Sequence, residues 1–562
     1  MNPFSFVRSR ADVADAIGIQ VKSLTYILFV KRIENCYSTF YIPKKSGGNR
    51  TICSPCDELK LIQKKLADAL WEQQQDIWKK ANIHPNLSHG FEKGKSIFSN
   101  AKIHVNRRFV LNIDLENFFD TFHFGRVCGF FEKNRYFMLP HEAAVTIAQI
   151  ACYNGKLPQG SPCSPIITNM ICQALDIRLL QVAKKYKLDY TRYADDLTFS
   201  TNNRHFLDCY ERFYKSLLRE IQHMGFSVNE TKTRLLYRNS RQTVTGLTVN
   251  QKININCDYY KATRAMAHSL YQKNEFQING SPATINQLEG RFAFIDQIDH
   301  FNNRKDTFPH NARNLNRRER EYQAFLYYKY FFTNDRVLII TEGKTDVLYL
   351  KAALMALYTE YPNLVQRDEA GKFLFNVSFF KRSKRWRYLY MISPDGADTF
   401  GYLLECIRDT KGAPPNYNKY FERLSTHRAH NPVVLLFDNE RSLDRPLGKI
   451  IKNIKLLEQE RRKLDSEHYC RVIPNANFYI LTFQLPPGMV KCEIEDLFPN
   501  DVLQTVINGK TFDRHIEKGD SMHYGKNDFS RYVFSNYQKI DFSAFRPLLD
   551  TLNKLIDEYK AE

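Results

Sequence analysis

The chain has 562 residues, 43% hydrophobic and 14% aromatic, with a formal net charge of +20 and a pI near 9.3. That length exceeds a single core, so roughly two to four domains are expected, and the charge points to a polyanionic partner, most simply nucleic acid. Twelve scattered cysteines fit a reducing cytoplasm better than a disulfide framework, the N-terminus shows no signal pattern, and no apolar run approaches the ~20 residues of a membrane span.

Residues 11–32 read as helical. Tyr37 to Ile52 reads as strand, Gly-Gly turn, strand, and carries Lys44, Lys45 and Arg50, cations suited to closing over a triphosphate. Residues 57–80 read as a long amphipathic helix. His89-Gly-Phe-Glu-Lys-Gly-Lys-Ser-Ile97 is a turn entering a helix, followed by Asn100-Ala-Lys-Ile-His104. The apolar run Phe109 to Ile113 ends at Asp114, as a buried strand ends at a site. Phe118 and Phe119 follow. Leu157-Pro-Gln-Gly-Ser-Pro-Cys-Ser-Pro-Ile-Ile-Thr-Asn169 is a rigid Pro/Gly loop that starts a helix.

Tyr190-Thr-Arg-Tyr-Ala-Asp-Asp-Leu-Thr-Phe-Ser200 is a hairpin with Asp195 and Asp196 at its tip. Adjacent carboxylates repel, so the pair is costly unless a cation binds there, and Mg²⁺ takes such oxygen ligands together with substrate phosphate. With Asp114, three carboxylates from two strands can serve a two-metal site with ions roughly 3.5–4 Å apart, as used for in-line phosphoryl transfer. Gly225 to Arg234 holds Lys232, and Arg241 to Val249 alternates as a strand through Val244-Thr245-Gly246. Residues 259–305 read as helices with an apolar face of Ile285, Leu288, Phe292, Ile295 and Ile298 and basic Lys261, Arg264, Arg291 and Arg304. Residues 306–320 read as surface chain.

These ordered boxes, above all Tyr-Ala-Asp-Asp and Leu-Pro-Gln-Gly, resemble those of reverse transcriptases. The Asn-Ala-x-x-His and Val-Thr-Gly elements resemble those of the retron branch of that family. The resemblance implies a right-hand polymerase, α+β, in residues 1–325, with fingers and palm in 1–250 and a thumb in 251–325. It implies catalytic, metal-holding Asp114, Asp195 and Asp196. Lys45, Arg50, Gln159 and Lys232 are expected to bind the incoming deoxynucleotide, with Phe119 blocking a ribose 2′-hydroxyl. Asn100, His104, Val244, Thr245 and Gly246 are expected to read RNA. It further implies a cognate structured non-coding RNA as partner, extended from a guanosine 2′-hydroxyl into a branched RNA–DNA product.

After a connection at 326–333, the pattern changes. Arg336-Val-Leu-Ile-Ile-Thr-Glu342-Gly-Lys-Thr-Asp346 is a buried parallel strand feeding a helix, with acids where open α/β sheets gather their active sites. A second such strand ends at Asp438 and Glu440, which face one side if the chain stays extended, and Glu495 lies in a third acidic group. This order resembles a TOPRIM domain, Rossmann-like α/β, over 334–500. That implies a second Mg²⁺ site built from Glu342, Asp346, Asp438, Glu440 and Glu495, with catalytic Glu342, Asp438 and Glu440 cutting a nucleic-acid target. The usual Asp-x-Asp is here Asp-x-Glu, which puts one oxygen a methylene further out.

Lys381 to Tyr388 interleaves cations with aromatics and is expected to meet nucleic acid. Residues 501–562 form an extension with no assigned chemistry. Retrons with fused effectors imply anti-phage defence, with the effector as toxin, in the bacterial cytoplasm. A homo-oligomer fits the same picture; a membrane partner does not. The competing readings are a reverse transcriptase of another class, such as the group II intron type, and a non-catalytic TOPRIM-like scaffold for RNA binding or oligomerisation.

Overall fold

The computed structural model describes all residues except 1–2, 5, 44–46, 82–85, 304–311, 394–399, 410–413, 426, 475 and 517–519. The chain divides into two compact units, Met1–Asn256 and Cys257–Glu562.

In the first unit, strands β1 (Tyr37–Pro43) and β2 (Asn49–Pro55) form the expected antiparallel hairpin. Helix α1 (Asp57–Lys80) follows, then short helix α2 (Ile97–Ile103). Strand β3 (Phe109–Asp114), helix α3 (Ser164–Lys185), strands β4 (Asp189–Tyr193) and β5 (Asp196–Thr201), helix α4 (Phe206–His223) and strand β6 (Arg234–Tyr237) complete the centre. The sheet runs β4-β5-β3-β6, every pair antiparallel. Its register sets Asp114 opposite Asp196. Helix α3 is long and apolar enough to cross a membrane. It is nevertheless the core helix of this unit, with Ile166, Ile167, Cys172, Leu175 and Leu179 buried, as a helix apolar on most sides is when packed inside protein. Strands β7 (Thr243–Val244) and β8 (Leu247–Thr248) form a small hairpin that packs on α2.

The second unit opens with helices α5 (Cys257–Lys273), α6 (Ile285–Asn303) and α7 (Arg317–Tyr327). On α6, Leu288, Phe292, Ile295 and Ile298 are buried, the face the spacing predicts. Strand β9 (Val337–Thr341), helix α8 (Asp346–Ala356), strands β10 (Val377–Phe379), β11 (Val433–Phe437), β12 (Tyr469–Arg471) and β13 (Phe478–Thr482), and helices α9 (Lys526–Ser535) and α10 (Arg546–Ala561) follow. The sheet order is β10-β9-β11-β13-β12, parallel except at edge strand β12. Alternation along its strands covers both faces. Leu338, Ile340, Leu435, Phe437 and Ile480 join the core of α5–α7. Val337, Ile339, Val434, Leu436 and Leu481 join a core shared with α8, α9 and α10.

Two expected boundaries change. Residues 326–333 are not a connection between domains: Leu326, Tyr327, Tyr328, Phe331 and Phe332 are buried, because α7 runs on through a π turn, Tyr328–Phe332, into an aromatic core. The stretch 501–562 is not an appendage either, since Phe529, Phe545, Leu549, Leu552 and Leu555 build the core behind β9 and β11. The helices read as a thumb share their core with this second unit. Of the expected thumb cations, Arg264 pairs with Glu321 and Arg291 lies over Tyr259, bonded to Thr263. Arg304 lies outside the described residues.

Candidate active sites

Strand β4 turns into β5 through Ala194 and Asp195. Ala194 adopts φ +56°, a left-handed state that costs a non-glycine residue about 1–2 kcal/mol. The turn brings Asp195 against the end of β3, where Leu115 N–H donates to Asp195 O at 3.0 Å. Asp114, Asp195 and Asp196 thus meet at one sheet end. The segment holding Lys232 is pinned there as well, with Asn229 N–H donating to Asp114 O at 2.8 Å and Glu116 N–H to Ser227 O at 2.8 Å. Lys232 Nζ reaches both carboxylate oxygens of Asp114, at 3.0 and 3.1 Å.

Desolvation, then the Asp114 charge, raises the Asp195 pKa. Desolvation and the charges of Asp195 and Asp114 push Asp196 up to about 7. Asp196 keeps an exposed surface, so the like charges are the firmer cause. Three crowded carboxylates are hard oxygen donors that repel one another, and such a set fits divalent cations. Bound there, such ions lower the pKa of an attacking hydroxyl and offset charge on a leaving phosphate.

The neighbouring boxes frame this centre. Phe118 is buried and stacks on Phe226, whereas Phe119 stays half-buried, edge-on to Phe118 and Phe91. The Leu-Pro-Gln-Gly loop is clamped to the hairpin, with Cys53 N–H donating to Gln159 O at 2.8 Å. Gly160 has φ +125°, and a Cβ there would lie 2.3 Å from Cys53 O, so only glycine fits. Arg50 is exposed on β2. Lys45 lies outside the described residues.

The RNA-reading expectation for Asn100 and His104 is corrected. Both are fully buried. His104 bridges the palm strands from behind, Nε2 to Thr191 Oγ at 2.7 Å and Nδ1 to Ser200 Oγ at 2.7 Å, and burial pushes its pKa down to about 3. Val244 is also buried. Thr245 and Gly246 form the left-handed tip of the β7–β8 hairpin, and only Gly246 is exposed there. Of these five residues, only Thr245 and Gly246 at the tip keep surface open to RNA.

The second acidic group sits at the carboxyl ends of β9 and β11. Asp438 N–H donates to Glu342 Oε2 at 3.3 Å, and Ile494 N–H to Asp438 Oδ1 at 3.1 Å. Gly343 N–H donates to Asp346 Oδ2 at 2.7 Å. The chain bends after Asp438, where Glu440 N–H donates to Asp438 O, so the extended placement expected of Asp438 and Glu440 is not kept. Burial, then the charges of Asp346 and Glu440, pushes Glu342 up to about 7. Burial and the Glu342 charge raise Asp438 well above the usual carboxylate range, and burial raises Asp346 and Glu495.

Lys526, at the start of α9, answers this charge from the extension. Its Nζ lies 3.2 Å from Glu493 and 3.1 Å from Glu495. Burial opposes its charge, but Glu495 and Glu493 outweigh burial and raise its pKa. Among the described residues, Oε1 of the fully buried Glu495 has no hydrogen-bond partner, an oxygen that a cation would satisfy, and the all-carboxylate donor set suits Mg²⁺. Arg445 and Lys491 flank Glu440 at 3.4 and 3.5 Å. No local pattern in the sequence pointed to Lys526.

The Lys381–Tyr388 run is corrected too. Trp386 is core, Tyr388 donates to Glu319, Arg385 pairs with Asp296, and Arg382 binds the carbonyls of Thr341 and Glu342 at 2.6 and 2.9 Å. Lys381, Lys384 and Arg387 remain exposed.

Residues 42–277 match the family model described as reverse transcriptase (RNA-dependent DNA polymerase). Retron Mx65 reverse transcriptase of Myxococcus xanthus is 32% identical over 56% of this chain and 71% of its own length. Retron Ec86 reverse transcriptase of Escherichia coli is 33% identical over 52% and 86%. This chain belongs to the retron reverse transcriptases. It is an RNA-directed DNA polymerase with the reverse-transcriptase fold. Telomerase from Candida albicans is a looser structural neighbour, 14% identical over 52% of this chain and 58% of its own, at a TM-score of 0.31.

Proposed function

We propose that this retron reverse transcriptase copies a cognate structured non-coding RNA, priming from a guanosine 2′-hydroxyl to leave a branched RNA–DNA molecule. The observation that carries the chemistry is the meeting of Asp114, Asp195 and Asp196 beside Lys232. In this reading Lys232 orients Asp114, Phe119 selects against ribonucleotides, and the Leu-Pro-Gln-Gly loop with Gln159 and Arg50 seats the deoxynucleoside triphosphate. The exposed hairpin tip at Gly246 meets the RNA. Purification from cells carrying the native locus, followed by a denaturing gel with and without RNase, tests this. A band shortened but not destroyed by RNase supports the reading; RNA alone, or nothing, sinks it.

The second unit is read as a TOPRIM nuclease that uses Glu342, Asp346, Asp438, Glu440 and Glu495 on a nucleic-acid target, as the toxin of an anti-phage system. Support comes from the parallel sheet, the acids at its strand ends and the unsatisfied Glu495 oxygen. The enzyme's own RNA–DNA product restrains this nuclease until infection disturbs it. Equal toxicity with and without Asp195→Asn would end the restraint idea.

A second reading, a non-catalytic scaffold, draws on Lys526, Arg445 and Lys491, which offset the carboxylates without any metal. Calorimetric titration of Asp195→Asn protein with Mn²⁺ separates the two: binding that falls further when Asp438→Asn is added supports the nuclease, and titrations that do not differ support the scaffold.

A further inference from the structure

The turn that carries Asp195 and Asp196 is backed by an ion pair that the chemistry at its front does not use. Arg192 projects from β4 with no exposed surface. Its Nε and Nη2 donate to the two carboxylate oxygens of Asp176 on α3, each at 2.8 Å. Tyr190 donates its hydroxyl to the same carboxylate at 2.8 Å. Nη1 is left to reach the Asn169 side-chain oxygen at 3.1 Å and the backbone carbonyl of Ala194 at 3.2 Å.

Asn169 is itself anchored. It accepts from Ser88 Oγ at 3.1 Å and donates to Gly90 O at 2.9 Å. The 87–90 segment lies along β4, with Arg192 N–H donating to Leu87 O and His89 N–H to Arg192 O. It comes so close that a Cβ on Gly90 would stand 2.4 Å from Ala194 N.

A buried ion pair is weak evidence for a stabilising role, because an apolar pair of similar volume often serves as well. It is a stronger reason for geometry. Once both parallel bonds to a carboxylate are made, the planar guanidinium has its orientation fixed. Here the free arm of that fixed fork points at the carbonyl of the one left-handed residue in the turn, immediately before Asp195.

We propose that Arg192 is a positioning residue for DNA synthesis: clamped by Asp176 and Asn169, it holds the Ala194 carbonyl and so fixes the left-handed peptide from which Asp195 and Asp196 project. It acts through the turn and touches no substrate.

The test uses full-length protein extending oligo(dT) on poly(rA) over a range of Mg²⁺ concentrations, with melting temperature measured alongside. Arg192→Met combined with Asp176→Leu removes the fork without leaving a buried charge unpaired. The expected result is a melting temperature near that of the unaltered protein, a fall in kcat of about 10²-fold, the cost of a misplacement near 1 Å, and a several-fold rise in half-saturating Mg²⁺. Ala194→Gly added to Arg192→Lys is expected to recover kcat about tenfold without raising the melting temperature, because glycine holds left-handed backbone unaided. Unchanged kcat and Mg²⁺ dependence in the paired replacement would overturn the proposal. Should that protein not fold, kcat values of Arg192→Lys and its Ala194→Gly derivative that merely track their melting temperatures would do the same.

Discussion

The two acidic sites solve one problem, carboxylate crowding, in opposite ways. In the first unit the acids sit on an antiparallel hairpin and a neighbouring strand end, with Asp196 exposed and Lys232 on Asp114. In the second they sit at parallel strand ends, with Asp346 and Glu495 buried and Lys526 drawn in from the extension. The open arrangement suits a floor on which a primer end and a triphosphate must land. The closed one holds its negative charge away from water, so its stability is tied to protons, to Lys526 or to a metal.

The largest expected effect is at the open site. Asp195→Asn lowers primer extension by 10³-fold or more, on the order expected when a transition-state charge loses its support. Its melting temperature holds or rises, because a carboxylate repelled by Asp114 is gone. Residual activity within about tenfold of the unaltered protein would break the assignment.

At the closed site the handle is pH. Burial pushes the Glu342 pKa up to about 7 from an ordinary 4.5, so the folded chain binds that proton more tightly than the unfolded one. Its contribution is therefore complete below the unfolded value and lost as pH rises through 7, about 3 kcal/mol in chelator-treated protein. Thermal melts at about pH 5 and about pH 8 should show the second unit weakening, and Glu342→Gln should flatten the difference. Because Asp196 is pushed up to about 7 as well, a pH dependence flattened by Asp196→Asn and untouched by Glu342→Gln would remove the contrast between the sites.

Next comes the support behind the palm. His104→Ala breaks two buried hydrogen bonds and should cost about 2–3 kcal/mol, while the affinity of the folded protein for RNA stays unchanged. A loss of affinity at unchanged stability would restore the RNA-reading role. The smallest effect is at Phe119, where Phe119→Val should relax discrimination against ribonucleotides by about tenfold, read from competing dTTP and UTP incorporation.

Much of this was legible in the sequence because local pattern sets it. The Gly-Gly hairpin, the run ending at Asp114, the Tyr-Ala-Asp-Asp turn and the α6 face at Leu288, Phe292, Ile295 and Ile298 follow from periodicity and turn chemistry. What stayed hidden depends on partners distant in the chain. Spacing alone cannot show that His104 would be enclosed by Thr191 and Ser200, or that Lys526 would meet Glu493 and Glu495. Composition misled at Lys381–Tyr388, where Trp386 serves the interior. It misled again at 326–333, where a run of aromatics between two recognisable motifs was a core element.

The interior place of α10 sets an order of events during synthesis. The first unit closes with residue 256, whereas the sheet begun at Val337 lacks one wall until Leu548, Leu552 and Ile556 have emerged. At about 5–20 residues per second, roughly 300 further residues take about 15–60 s. During that interval a nascent chain carries a finished polymerase palm and an unfinished second sheet, so a ribosome stalled before the last helix would leave the palm folded and the second acidic group without its supporting wall.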